Sequence, residues 1–291
     1  MNAPHEQLQG TLLPDGKVLL VGTLRCAPAC YSDPPTKLYD PSTNSWIVTA
    51  SPQYPRFNHI SELLPNGKVL VAGGYISPSV LTTTAEIYDP PTQTWTPTSS
   101  LTTPHQFHHS ARLKDGRILV VGGLGINEQG AFQVLSSAEI YNPTSGSWTA
   151  GGNMNTPRFG HAVITLPDGR VLVAGGSNSA TGSEPALGTA EIYDPASNRW
   201  SSAANLNAAR EGHRAVVLPN GEVMVAGGTG YGGCLASTEL YDAGADRWAV
   251  TASMSAARQT FALNVLPDGR VLAAGGSGGN NCGDALDSAE I

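Results

Sequence analysis

Apolar residues in this chain come in short runs fenced by Gly, Pro, Asp or Asn, and the runs return at a nearly constant interval. The sequence Val69-Leu70-Val71-Ala72 follows an Asn-Gly turn and stops at Gly73-Gly74; Val171-Leu172-Val173-Ala174 follows Asp-Gly and stops at Gly175-Gly176. Four wholly apolar residues are too few for a buried helix and fit a strand covered on both faces. The segments on either side alternate, as in Ala85-Glu86-Ile87-Tyr88 and Ala190-Glu191-Ile192-Tyr193, which predicts half-buried strands. One module therefore reads as four strands: A, ending at the Asx-Gly turn; B, the apolar run; C, the alternating segment; and D, which follows an Asp-Pro turn and carries a Trp. The Ala-rich stretch 201–210 is the one competing helical segment. Its bounds at Trp200 and Gly212, and the Thr, Pro or Gly at its counterparts near Ser99 and Ala150, make it the D-to-A connection instead.

The module is written six times. GKVLLVG at 16–22 returns as GKVLVAGG at 67–74, GRILVVGG at 116–123, GRVLVAGG at 169–176, GEVMVAGG at 221–228 and GRVLAAGG at 269–276. A period of about 50 residues suits a propeller blade, and is too long for an ankyrin or tetratricopeptide unit. Tyr39-Asp40-Pro41, Tyr88-Asp89-Pro90, Tyr141-Asn142-Pro143, Tyr193-Asp194-Pro195 and Tyr241-Asp242-Ala243 follow the first five copies, each with a Trp six residues beyond the Asp or Asn: Trp46, Trp95, Trp148, Trp200 and Trp248. An Arg-x-x-His entry into strand A completes the pattern at Arg56, Arg158 and Arg210.

With Gly-Gly after strand B, Tyr-Asp-Pro after strand C, the spaced Trp and the Arg-x-x-His entry, the chain resembles the kelch-repeat family over essentially residues 4–291. The resemblance implies an all-β, six-bladed kelch β-propeller with four-stranded antiparallel blades. The repeats run over 4–51, 52–100, 101–153, 154–205, 206–253 and 254–291 of one domain, 1–291. Radial stacking hides each blade's apolar faces and brings the last module beside the first. Blade 6 stops in strand C at Ala289-Glu290-Ile291, so it lacks its outer strand; a shortened chain is the simpler expectation, and the open edge invites pairing with another chain.

Composition narrows the function classes. The net charge of -7, with no basic stripe, disfavours nucleic acid and anionic membranes, and no apolar stretch is long enough for a membrane span. Residues 1–10 have neither a basic start nor an apolar centre, so no signal peptide is expected in them.

Candidate chemistry gathers where the long B-to-C and D-to-A connections meet: loops 24–36, 75–84, 124–137, 177–189, 229–238 and 277–288. Eleven residues before each A-to-B turn Gly stand His5, Arg56, His105, Arg158, Arg210 and Arg258, one per blade. On an innermost strand they would rim a mouth suited to carboxylates, sulfates or acidic peptides. The competing reading pairs them with the repeated Glu86, Glu191, Glu239 and Glu290, or with loop carbonyls. Three residues on, His59, His108, His161 and His213 read as packing devices, with Leu8 and Phe261 in their place in blades 1 and 6. His105, His108 and His109 do not make a metal shell, because successive strand residues face opposite sides.

Kelch propellers resemble protein-binding modules, carbohydrate-binding domains, sugar mutarotases and copper-radical oxidases alike. The oxidase resemblance implies copper, two His, an axial Tyr and a Tyr joined to Cys; Tyr54 and Tyr75 occupy suitable loops, but blades 2 to 4 contain no Cys. No nucleophile elbow, zinc-binding His-Glu-x-x-His or phosphate loop occurs, so no cofactor, metal or catalytic residue is assigned. The leading expectation is a noncatalytic recognition propeller for a protein or glycan. The alternatives are a carbohydrate-active enzyme such as a mutarotase or epimerase, and a structural segment of a larger extracellular protein. Cys26, Cys30, Cys234 and Cys282 all fall in B-to-C loops of blades 1, 5 and 6, neighbours in a closed six-blade ring. Two disulfides with three formal pairings, or free thiols, are open; disulfides imply an extracellular or periplasmic setting.

Overall fold

A computed structural model describes residues 9–22, 36–77, 80–181, 185–279 and 282–291. The fold is an all-β six-bladed propeller. Five blades are four-stranded antiparallel meanders in the order A-B-C-D, and the sixth has three strands, Ala262–Val265, Val271–Ala274 and Ala289–Glu290, lacking the outer one as expected. The chain divides into two compact units. One comprises Met1–Val120, Gly125–Gly130 and Glu139–Ala150; the other comprises Val121–Leu124, Ala131–Ala138 and Gly151–Ile291. No helix among the described residues is long and apolar enough to cross a membrane.

Blade 4 shows how the local sequence builds a sheet. Strand A, Ala162–Thr165, pairs with strand B, Val171–Ala174, through a turn in which the Arg170 N–H donates to Asp168 Oδ1 (2.9 Å) and Gly169 takes a φ of 100°, open to glycine but not to side-chain-bearing residues. Strand C, Ala190–Asp194, and strand D, Arg199–Ala203, then place Tyr193 opposite Trp200 with ring centroids 5.1 Å apart. The Trp also reaches backwards: Trp200 Nε1 donates to the Gly151 carbonyl at 2.9 Å, as Trp248 does to Ala204. In the first unit Trp95 and Trp148 make the same bond to Ala50 and Ser99. In blades 2 to 5 the Trp thus ties the outer strand to the end of the preceding blade's outer strand or the connection just after it.

The core lies in the seams between blades. Leu166, Leu172 and Ala174 of blade 4 meet Val223, Val225 and Tyr241 of blade 5, while in the first unit Leu19, Val21 and Leu38 meet Val69, Val71 and Tyr88. Strand B of blades 2, 3 and 4 is buried at every position, the double coverage that its apolar run predicts. At about 25 cal/mol per Å2 of apolar surface, each buried Val or Leu contributes roughly 1.5–3 kcal/mol, so the seams dominate the fold's stability.

The Gly-Gly pairs have a steric cause. A Cβ on Gly175 would sit 2.5 Å from the Arg210 carbonyl and 2.8 Å from the His213 ring of the next blade; one on Gly176 would sit 2.6 Å from the Phe159 carbonyl. The first Gly accommodates the following blade and the second accommodates its own strand A. The repeated His therefore packs against a neighbouring backbone.

Several B-to-C connections read as loops in the sequence are themselves two-stranded hairpins. Tyr75–Ser77 pairs with Val80–Leu81, Leu124–Ile126 with Phe132–Val134, Thr229–Gly230 with Gly233–Cys234, and Ser277–Gly278 with Asp284–Ala285. Strands of two or three residues are too short to leave a periodic signature.

Candidate functional site

The Arg column is used inside the blades. Arg56, Arg158, Arg210 and Arg258 are each fully buried. Arg158 Nη1 donates to the carbonyls of Gly175 (2.8 Å) and Thr189 (3.0 Å), and Nη2 donates to Thr189 Oγ1 (3.3 Å) and Glu191 Oε1 (2.9 Å). Glu191 also accepts from the backbone N–H groups of Asn155 (2.6 Å) and Thr156 (3.0 Å) on the D-to-A connection. The same pairing joins Arg56 to Glu86, Arg210 to Glu239 and Arg258 to Glu290, each at 2.8 Å. Burial lowers the pKa of Arg56, Arg158 and Arg210 while the carboxylate pulls it back up. For Glu239, burial pushes upward, but hydrogen bonds from Asn207, Ala208 and Arg210 outweigh it and hold the carboxyl below its ordinary value. A ligand could reach these guanidinium groups only by breaking the internal pairs, so the geometry favours the pairing alternative over a ligand-facing rim.

Blade 3 substitutes an imidazole: His105 Nε2 lies 3.4 Å from Glu139 Oε1, and Glu139 accepts from the N–H groups of Thr102 and Thr103. His5, Cys26 and Cys30 lie outside the described residues. His59 and His108 are buried, and burial is the main cause that drives His59 down to about 3 and His108 well below its ordinary value. Both are held neutral as packing groups.

The described residues do not fit a radical-copper centre. His105 and His108 are turned to Glu139 and the Ala72 carbonyl, Tyr75 stacks on Phe57, and Cys234 is bonded to Cys282. No group of three or more metal-ligating side chains occurs among the described residues.

A different constellation emerges where strand A begins in blades 4 to 6. Gly160, Gly212 and Thr260, two residues beyond each Arg, follow one another through backbone bonds: Gly212 N–H donates to the Gly160 carbonyl (2.8 Å) and Thr260 N–H to the Gly212 carbonyl (2.9 Å). All three are left-handed, with φ of 61°, 65° and 50°; for Thr260 that conformation costs about 1–2 kcal/mol. Beside this ladder lie two ionisable side chains without a counter-charge. Glu211 exchanges backbone bonds with Thr229 (2.9 and 2.7 Å), its Cβ lies 3.8 Å from where a Gly160 side chain would start, and its half-buried carboxylate has no hydrogen-bond partner among the described residues. Burial raises its pKa. Arg214, at the head of strand A, donates from Nε to the Phe261 carbonyl (2.9 Å), and its Nη groups have no partner among the described residues. Burial lowers its pKa with no carboxylate to offset the effect.

Gln259, the blade 6 counterpart of Glu211, closes the site. Its Oε1 accepts from Thr229 Oγ1 (2.8 Å) and its Nε2 donates to the Cys282 carbonyl (2.9 Å). Cys234, opposite Thr229 in its hairpin, is joined to Cys282 by a disulfide with the Cα atoms 5.3 Å apart. Sequence reasoning overlooked Glu211, Arg214, Gln259 and Thr229. The available signal was variation within a repeated column: Phe57, Gln106, Phe159, Glu211 and Gln259 follow the Arg or His, and Arg214 stands where other blades have Ile60, His109, Ala162 and Ala262.

Comparison with known proteins agrees with this architecture. The Kelch motif model matches residues 64–102 and 157–207. Human Kelch-like protein 28 is 33% identical over 107 residues, and rat Kelch-like protein 7 is 36% identical over 77. These matches cover 35% and 26% of this chain but only 18% and 12% of those proteins. Among solved structures, YjhT superposes over 99% of this chain and 95% of its own with a TM-score of 0.74 at 15% identity. A fungal alcohol oxidase of the AA5 family, solved with copper, superposes over 96% of this chain and 72% of its own with a TM-score of 0.62 at 18% identity. The two matched segments carry Kelch motifs, and the Gly-Gly, Tyr-Trp and Arg-Glu devices recur from blade to blade in the same six-bladed β-propeller fold.

Proposed function

We propose that this propeller is a carbohydrate-active enzyme of the mutarotase or epimerase type, working where strands A of blades 5 and 6 begin. The observation that carries the reading is the half-buried, unpaired carboxylate of Glu211, whose pKa burial raises, close in sequence to the unpaired guanidinium of Arg214. A carboxyl that burial raises above its ordinary pKa is a stronger base and is better suited to taking and returning a proton. In a mutarotation Glu211 accepts the anomeric hydroxyl proton as the ring C–O bond breaks and water protonates the ring oxygen. Reclosure on the other face reverses these transfers. Arg214 binds an anionic or strongly polar group of the sugar and holds the ring in place. The disulfide suits an extracellular or periplasmic setting.

The test follows anomer equilibration by NMR for freshly dissolved neutral and acidic sugars. The native protein should accelerate one class, Glu211→Gln should lose about 100-fold or more, and Arg214→Gln should raise KM mainly for acidic sugars. Equal rates for native protein and Glu211→Gln across the panel would overturn the reading.

The recognition reading has its own support in Tyr231, 98% exposed on the B-to-C hairpin of blade 5. It expects saturable glycan or protein binding without turnover, lost in Tyr231→Ala.

A further inference from the structure

The Cys234–Cys282 disulfide forms one side of a closed circuit around the Glu211 backbone. Thr229 exchanges both backbone bonds with Glu211 and stands opposite Cys234 in the blade 5 hairpin. Cys234 is bonded to Cys282, the Cys282 carbonyl receives Gln259 Nε2, and Gln259 Oε1 receives the Thr229 hydroxyl. The amide of Gln259 also lies against Gly212, the residue after Glu211: a Gly212 side chain would begin 3.2 Å from Gln259 Oε1. The bases of both connections are fastened by backbone bonds, Thr229 with Glu211, Ser277 with Gln259, Leu235 N–H to the Gly228 carbonyl and Leu286 N–H to the Gly276 carbonyl, whereas Cys234 and Cys282 lie toward the tips. Thr229–Gly230 and Gly233–Cys234 are two-residue strands, as are Ser277–Gly278 and Asp284–Ala285, and the Cys282 N–H reaches the Gly279 carbonyl only at 3.3 Å.

We propose that this disulfide is a redox-sensitive positioning element for the Glu211 site, acting through Gln259. The inference rests on Glu211 being the working group, but its test needs no substrate. A dithiol attacks the bridge, the S–S bond breaks, two protein thiols form, and the reagent leaves as its cyclic disulfide. The Cys282 carbonyl is then free to move away from Gln259, Gln259 releases Thr229, and water enters beside Glu211.

The charged groups around Glu211 leave hydration as the variable. Arg210 is taken up by Glu239 and Arg258 by Glu290, Arg214 is oriented on the Phe261 carbonyl, and the adjoining residues of blades 4 and 6, Phe159, Gly160, Gln259 and Thr260, carry no charge. His213 is buried.

The experiment is a carbon-detected NMR titration of the glutamate carboxyls, assigned with Glu211→Gln, on the intact protein before and after treatment with dithiothreitol. In the disulfide form Glu211 should titrate above the ordinary glutamate range. After reduction its midpoint should fall by half a pH unit or more, while Glu239, held by the Arg210 pair, stays in place. Gln259→Leu should reproduce the fall without reductant, and Gln259→Glu, kept protonated at low pH, should restore the native amide pattern around Thr229. An unchanged Glu211 midpoint after reduction in a protein that keeps its folded spectrum would overturn the proposal. If the reduced protein unfolds, Gln259→Leu in the oxidised form decides the matter by the same midpoint. Failure of the sugar assay with a normal redox response would instead remove the enzymatic reading alone.

Discussion

Blades 4 and 5 enter strand A on the same backbone and diverge in what they do with it. Both carry a fully buried Arg paired to a strand C Glu, a left-handed Gly and a buried His, in the order Arg158-Phe159-Gly160-His161 and Arg210-Glu211-Gly212-His213. Blade 4 fills the two remaining places with Phe159 and Ala162. Blade 5 fills them with Glu211 and Arg214, and neither acquires a counter-charge. In this propeller the repeated ionisable residues are structural, and the unrepeated ones carry the candidate chemistry. Repetition marks what each blade needs in order to stack; departure from it marks what a single blade adds.

The sharpest way to break the comparison is to remove the shared pair. Arg158→Met and Arg210→Met should each destabilise the fold by about 3–5 kcal/mol, because each leaves a buried carboxylate unpaired, and urea unfolding should give similar values for both blades. A markedly cheaper Arg210→Met would mean that blade 5 does not use its Arg as blade 4 does. The disulfide comes next. It closes a loop of 48 residues, and chain entropy sets about 4 kcal/mol as the stabilisation to be lost on reduction, read as a fall in the unfolding midpoint.

Acid should act on the repeated His. His59 titrates near 3 when folded and near 6.5 when unfolded, so between those values the unfolded chain binds more protons. Its contribution is complete above about pH 6.5 and is lost as the pH falls toward 3. His108 acts in the same direction. His59→Gln should flatten the acid limb of a stability-versus-pH curve.

Glu211 carries the opposite sign and the smallest effect. Its raised pKa means that the folded protein binds more protons than the unfolded one above the ordinary glutamate range, so its contribution to stability falls as the pH rises through that window. Glu211→Gln should be neutral near pH 4 and more stable than the native protein at pH 7, by no more than about 1 kcal/mol. Phe159→Glu should not create the same behaviour in blade 4 unless Arg214 and Gln259 matter less than the backbone.

Much of this was legible in the chain. Gly-Gly, Asx-Gly and Asp-Pro report local steric demands, and the Tyr-Trp pair reports cross-strand register, so reading them needs no knowledge of distant residues. The Arg column was only half legible. A guanidinium eleven residues before a turn Gly can face a mouth or a neighbouring strand, and the choice depends on whether the Glu about 30 residues later lies within reach. Cys234 and Cys282 were recognisable as candidates from their places in the B-to-C loops of neighbouring blades, whereas their link to Gln259 was not. That link depends on the carbonyl direction of a loop residue, which no side-chain pattern records.

The sequence by itself determined the repeat, the four-strand module and its turns, because each rests on contacts between residues close along the chain or at equivalent places in successive blades. Only the tertiary structure decided which charges are spent on the scaffold and which remain unpaired. Ion pairing and desolvation depend on the few ångströms separating residues of different strands, and Arg210 and Arg214, four positions apart where strand A begins, end up with opposite fates for that reason alone.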